Sequence, residues 1–164
     1  MIVVFADLAG FTSYAERHGD RTAAVIASRF ALQAMQIGRR HGLRPIKTLG
    51  DGVLFVGSDP GRALEAVGEL VSRFDGSDGC PPVHVGAHAG DVIELDGDIF
   101  GRVVNLAAHL AAATEPAHAL VTEVLADGAP EHRGRLVPLG PQTVRGLDRP
   151  IDLYGLGYTQ GDAA

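Results

Sequence analysis

Lys47-Thr48-Leu49-Gly50-Asp51-Gly52-Val53-Leu54-Phe55-Val56 reads as the end of one strand, a tight turn and the strand that returns beside it. An Asp-Gly pair between two apolar runs is the strongest short-range hairpin signal, because the turns that match strand twist need positive φ. Asp51 then sits at the tip. The opening run, residues 2–6, is continuous and rich in β-branched side chains, which predicts a central strand buried on both faces. It leads into Asp7-Leu8-Ala9-Gly10-Phe11-Thr12, so each stretch sets one carboxylate beside glycine at the end of an apolar strand.

Outward from these strands the periodicity changes. From Thr12 to about His41 it is helical, with Val25, Ile26, Phe30, Leu32 and Ile37 as the apolar stripe, a break at Gly19-Asp20 and a stop at Gly42. Asp59-Pro60 opens a second helix with a stripe of Ala63, Leu64, Val67, Leu70, Val71 and Phe74. After a loop over residues 75–82, Val83, Val85, Ala87 and Ala89 alternate with His84, Gly86 and His88 as in a half-buried strand. A polar turn over residues 94–98 leads to a helix at about 101–113. A short strand near 119–121, a helical turn after Thr122 and strands near 135–139 and 151–156 follow. This order predicts an α+β fold: a ferredoxin-like βαββαβ core with a C-terminal β extension, its antiparallel sheet covered by helices on one face. In that topology the first strand lies beside the central hairpin and Asp7 converges on Asp51. Two hard carboxylates so placed suit divalent cations that hold a triphosphate.

The composition narrows the possibilities. A chain of 164 residues, 46% hydrophobic and 21% charged, is expected to form a single domain over residues 1–164. With a net charge of −6 and no concentration of lysine and arginine, nucleic acid is excluded as the expected partner. Cys80 is the lone cysteine and fits a reducing compartment. No apolar run approaches the ~20 residues that span a bilayer, and the first residues lack the pattern of a signal peptide. The expectation is a cytoplasmic protein, off the membrane and without an N-terminal regulatory region. Neither a Gly-x-Ser-x-Gly nor a Walker-type phosphate loop occurs. His84 and His88 lie ~13 Å apart along a strand rising ~3.3 Å per residue, too far to share one zinc ion.

Four segments together resemble one family. They are Phe5-Ala6-Asp7-Leu8-Ala9-Gly10-Phe11-Thr12, Lys47-Thr48-Leu49-Gly50-Asp51-Gly52, Val83 to Val92, and Asp98-Ile99-Phe100-Gly101-Arg102-Val103-Val104-Asn105-Leu106-Ala107-Ala108-His109-Leu110. In this order they are similar to the class III adenylate/guanylate cyclase catalytic domain, and the similarity continues through Val144-Arg145-Gly146 and residues 150–156. The resemblance implies an enzyme that converts ATP to 3′,5′-cyclic AMP and pyrophosphate. It casts Asp7 and Asp51, with the backbone carbonyl of Leu8, as ligands of two Mg2+ or Mn2+ ions. It casts Lys47 and Asp98 as the adenine-recognising pair, Asn105 as the ribose-orienting residue and Arg145 as a contact to the terminal phosphates. Phe11 and Thr12, just past the first aspartate, count among the substrate-binding positions. It also implies a head-to-tail homodimer in which one chain supplies the aspartates and the other the adenine and ribose contacts. A cyclic-dinucleotide enzyme would instead carry Gly-Gly-[Asp/Glu]-Glu-Phe at the hairpin, where this chain has Leu49-Gly50-Asp51-Gly52-Val53.

One position departs from the family. One helical turn past Asn105, where the family usually has an arginine that stabilises charge on the transferred phosphate, stands His109. Histidine is shorter than arginine and lacks its bidentate fork. Losing one preorganised charged donor commonly costs ~10²–10³ in rate, which predicts a slow enzyme. Arg102, three residues before Asn105, is a candidate partial substitute. The alternative is a catalytically weak or inactive domain that keeps nucleotide binding or dimerisation.

Overall fold

The computed structural model describes residues 1–158, so 159–164 of the expected domain lie outside it. A seven-stranded sheet has the order β2-β3-β1-β4-β7-β9-β8. Four strands from one edge inward, β2 (Arg44–Leu49), β3 (Gly52–Gly57), β1 (Ile2–Leu8) and β4 (Val83–Ala89), pair antiparallel with one another. With α1 (Phe11–His18), α2 (Asp20–Arg40) and α3 (Pro60–Arg73) between them, they make the expected βαββαβ core. A small separate hairpin, β5 (Ile93–Leu95) and β6 (Asp98–Phe100), precedes α4 (Arg102–Ala113). The chain then adds β7 (His118–Thr122), which pairs parallel to β4, followed by α5 (Glu123–Asp127). A 3-10 turn over Pro130–Arg135 leads to β8 (Val137–Gln142) and β9 (Ile151–Leu156).

Core helices α2 and α3 cover one face, where Val4, Ala6 and Leu8 of β1 meet Phe30, Ile37, Leu64 and Leu70. The opposite face is also covered, by α4, which sets Val103 and Ala107 on Val3, Leu54 and Val56. Helices on one face therefore describes the core alone. The cause is legible in β1: Val3 and Val4 point to opposite faces, both are fully buried, and apolar burial favours a helix on each. Gly86 lets α4 come this close. A Cβ there would lie 2.0 Å from the Ala107 carbonyl oxygen and 2.4 Å from the Ala111 nitrogen, so any other residue would lift the helix off the sheet.

Turn and cap chemistry act where expected. Gly19 at φ +83° separates α1 from α2, and the Asp59 carboxylate accepts a 3.0 Å bond from the Arg62 N–H above Pro60, a cap worth ~1 kcal/mol. Elsewhere the structure departs from expectation. Val25 and Leu32 are 55% and 64% exposed, because the buried stripe of α2 runs through Ala23, Phe30, Ala34 and Ile37, half a helical turn away. The polar turn at 94–98 belongs to the β5–β6 hairpin, closed by Asp96 and Gly97 at positive φ; strands of three residues carry no readable period. The strand near 135–139 begins only at Val137, after the 3-10 turn. His41 is partly buried between Glu65 at 3.4 Å and Glu69 at 2.7 Å. No helix among the described residues is long and apolar enough to cross a membrane.

Candidate active site

The register of the sheet decides where the first acidic residue goes. Asp7 pairs with Gly52, the residue after Asp51, so the end of β1 and the hairpin tip are side by side. Gly50 takes φ +63° in the turn, and Gly52 leaves the space the Asp7 carboxylate needs. A Cβ at Gly52 would stand 3.0 Å from Asp7 Oδ1 and 2.8 Å from Phe5 Cζ. Burial, then the Asp51 charge, push the Asp7 carboxyl up to about 6, against the lowering pull of the Leu8 N–H. Burial raises Asp51 as well, opposed by its own N–H and by hydrogen bonding from Asp7. Two adjoining carboxyls, half-removed from water, form a donor set that suits a hard divalent cation. They are two ligands only, so water or a bound molecule must supply the rest.

Leu8 closes β1 with its side chain buried, and the chain turns there as the Ala9 N–H donates 2.7 Å to the Pro82 carbonyl. Phe11 and Thr12 open α1 immediately after Gly10 at φ +64°. Phe11 packs against the main core and Thr12 is exposed. That first turn has no side-chain cap and no acidic residue, so its N–H groups are available to an anion.

Lys47 and Asp98 also meet. Lys47 Nζ donates 2.6 Å to Asp98 Oδ2, while Asp98 Oδ1 accepts 2.7 Å from the Ile99 N–H. The bond from Lys47, then that N–H, holds the Asp98 carboxyl below the usual carboxylate range. A second tie, Arg44 Nη2 to Glu94 Oε1 at 2.6 Å, fastens the β5–β6 hairpin to β2. The half-exposed Phe100 ring lies 5.9 Å from the Lys47 ammonium. Sequence reasoning did not single out Phe100 or the Arg44–Glu94 pair. Phe100 was within reach, since a residue two beyond Asp98 shares its face of a strand.

Asn105, His109 and Arg145 come together in a third group. Positions 102, 105 and 109 of α4 lie on one helical face. With Arg145, Gly146, Leu147 and Asp148 they line a cavity of ≈ 270 Å³, and its lining includes neither Asp7 nor Asp51. Val144 is buried beneath and a Leu147 N–H to Val144 carbonyl bond of 3.1 Å tightens the loop, which fixes Arg145 at the rim. The His109 ring packs on that loop: a Cβ at Gly146, itself at φ +86°, would lie 3.1 Å from His109 Cε1. The sequence-predicted residues thus assemble as three clusters: two aspartates, a lysine–aspartate pair, and the α4–loop cavity.

Comparison with protein-family profiles gives no match. Among curated proteins, the chain is 33% identical over 157 residues to a pH-sensitive adenylate cyclase of Mycobacterium tuberculosis, covering 93% of this chain and 39% of that protein. An uncharacterised protein of the same species is 32% identical over 152 residues, covering 93% of this chain and 40% of that protein. An adenylate cyclase of Streptomyces coelicolor is 36% identical over 110 residues, or 67% of this chain and 29% of that one. The chain therefore spans at most about two fifths of the length of these relatives. Among solved structures, an adenylate/guanylate cyclase/hydrolase from Silicibacter pomeroyi superposes with a TM-score of 0.82 at 25% identity, over 96% of both chains. An adenylyl cyclase from P. aeruginosa superposes with a TM-score of 0.77 at 19% identity, over 96% of this chain and 93% of the other.

Proposed function

The chain belongs to the class III adenylate/guanylate cyclase domains, and from that membership we propose that it converts ATP to 3′,5′-cyclic AMP and pyrophosphate at a site shared by two copies. The observation that carries the reading is the convergence of Asp7 and Asp51, two part-buried carboxyls raised chiefly by burial. With the Leu8 carbonyl they would hold two Mg2+ or Mn2+ ions, whose chemistry is to neutralise the triphosphate and acidify the ribose 3′-hydroxyl. The free N–H groups around Phe11 and Thr12 take phosphate oxygens. Asp98 accepts from the exocyclic amine of adenine and Lys47 donates to a ring nitrogen, a pattern that guanine does not present. Asn105 orients the ribose, and Arg145 reaches the terminal phosphates. The 3′-oxygen loses its proton to solvent water and bonds to the α-phosphorus as the bond from that phosphorus to the bridging oxygen breaks, releasing pyrophosphate.

A homodimer arranged head to tail is the economical way to unite the clusters. The cavity holding Asn105, His109 and Arg145 is not lined by the aspartates of its own chain, which favours a second copy as their source. A second reading is a weak or inactive domain that binds nucleotide or dimerises, favoured by His109 packing on the Gly146 loop rather than presenting a guanidinium. Cyclic AMP formation from ATP with Mn2+ at high protein concentration decides between them. Product that disappears in Asp51→Asn supports the cyclase; nucleotide binding by calorimetry with no product supports the second reading.

A further inference from the structure

The α4–loop cavity holds more positive charge than the assigned roles use. Arg102 occupies the first turn of α4, and its neighbours on the same face are Asn105 and, two turns on, His109. Arg102 and Arg145 line the same cavity from its two walls. Among the described residues neither guanidinium forms an ion pair or hydrogen bond with any carboxylate, Asp148 on the cavity wall included. Arginines with an exposed tip and no partner are common at a surface. Two of them facing one concavity beside an asparagine and a histidine, at an uncapped helix start with no acidic residue in its first turn, are arranged for an anion. His109 cannot extend into that space as a longer side chain would, because its ring lies against the backbone at Gly146.

We propose that Arg102 supplies the phosphate-stabilising charge that position 109 no longer supplies, reaching the transferred phosphate from two turns nearer the start of α4. This rests on the cyclase reading. Arg102 is then a catalytic residue by direct contact with the substrate, and Arg145 remains with the terminal phosphates. Positions 102 and 109 stand ~10 Å apart along the helix axis at 1.5 Å per residue, more than the arginine side chain alone spans. The substrate must therefore sit toward the α4 start, within reach of the first-turn N–H groups.

The experiment is a cycle between the two positions. Cyclic AMP formation with Mn2+–ATP is measured for the parent, Arg102→Ala, Arg102→Lys, His109→Arg and the Arg102→Ala/His109→Arg double variant. In parallel, calorimetry follows binding of inorganic pyrophosphate with Mn2+. Arg102→Ala is expected to lower kcat by about 10–100-fold with KM within about threefold, and Arg102→Lys to recover part of the loss. In the His109→Arg background the same truncation should cost under about threefold, because the two arginines serve one charge. A merely structural Arg102 would cost the same factor in both backgrounds, and that result overturns the proposal, as does a kcat unchanged by Arg102→Ala. Absence of cyclic AMP from the parent and from His109→Arg alike counts against the cyclase reading instead. The proposal is then judged on pyrophosphate: Arg102→Ala should weaken its binding at least about threefold beside His109 but not beside an arginine there, and equal affinities overturn it. Arg102 is exposed and unpaired, so unchanged thermal unfolding of the variant is expected throughout.

Discussion

Replacing Asp7 by asparagine should make the protein more stable and inactive at once. The Asp7 carboxyl rises from 3.8 to about 6 on folding. Between those values the folded state holds a proton that the unfolded state has released, so stability falls as pH climbs from about 4 to about 6 and the loss is complete above it. Two pH units correspond to about 3 kcal/mol, which the partial exposure of the group reduces to about 1–2 kcal/mol. Asparagine carries no charge to bury, and its amide can still donate to the Asp51 carboxylate. At pH 7.5 with chelator, Arg and Lys contents unchanged, the variant should melt about 2–8 °C higher, given ~2–4 °C per kcal/mol at this size. At pH 4 most of the gain should vanish, because the folded parent carboxyl is then protonated and carries no charge to bury. Added Mn2+ should stabilise the parent and leave the variant almost unmoved. Calorimetric scans at pH 4, 5, 6 and 7.5, each with chelator or Mn2+, test this. A variant less stable than its parent at pH 7.5, or equally stabilised at pH 4 and pH 7.5, would refute the electrostatic account of the pair.

His109→Arg should raise kcat by about tenfold or more with little change in KM, read from initial rates of cyclic AMP formation; a slower variant would mean that the loop at Gly146 leaves arginine no room. Lys47→Ala and Asp98→Ala should each lower the preference for ATP over GTP by about tenfold, measured as the ratio of kcat/KM values, with thermal stability nearly unchanged because both groups are part-exposed. Equimolar mixtures of Asp7→Asn and Asn105→Ala chains, each inactive alone, should recover about a quarter of the parent activity, since half of the dimers are mixed and each has one intact site of two. Zero recovery after exchange would place all the residues of one site on a single chain.

The sheet and the aspartate pair were legible because their signals are local and strong. A continuous apolar run marks β1, the Gly-Asp-Gly stretch marks the β2–β3 hairpin although the turn itself is Gly50-Asp51, and antiparallel pairing of the two brings Asp7 to Gly52 without help from distant residues. The second covered face was half-legible: Val3 and Val4 demanded it, but nothing in the α4 sequence says which face the helix takes. Gly86 settles that by admitting the helix backbone, a fact about space that no periodicity records. Val25 and Leu32 misled because apolar identity was read without asking whether their angle around α2 matched that of Phe30 and Ile37. The Arg44–Glu94 tie escaped for a simpler reason, since two charged residues 50 positions apart give no local sign of contact.

The clusters differ in what they lack, and that difference argues for coupling between binding and assembly. Asp7 and Asp51 are adjoining acids whose carboxyls are raised chiefly by burial, and for Asp7 also by the Asp51 charge. Arg102 and Arg145 are cations short of negative charge around a cavity of ≈ 270 Å³. Lys47 and Asp98 satisfy each other at 2.6 Å and wait on a base with the same donor and acceptor pattern to divide them. On the proposed reading, a metal–triphosphate complex would bring cations to the first cluster, phosphate oxygens to the second and a purine edge to the third. On the two-copy reading, one molecule relieves both chains only when they face each other. Linkage then requires nucleotide with metal to tighten the dimer by the same factor that dimerisation tightens nucleotide. The β2–β3 hairpin sharpens this dependence, because it carries Asp51 at its tip and Lys47 on its stem. On that reading a shift of this one hairpin would alter the metal half of one site and the base half of the other, so neither half could be tuned alone.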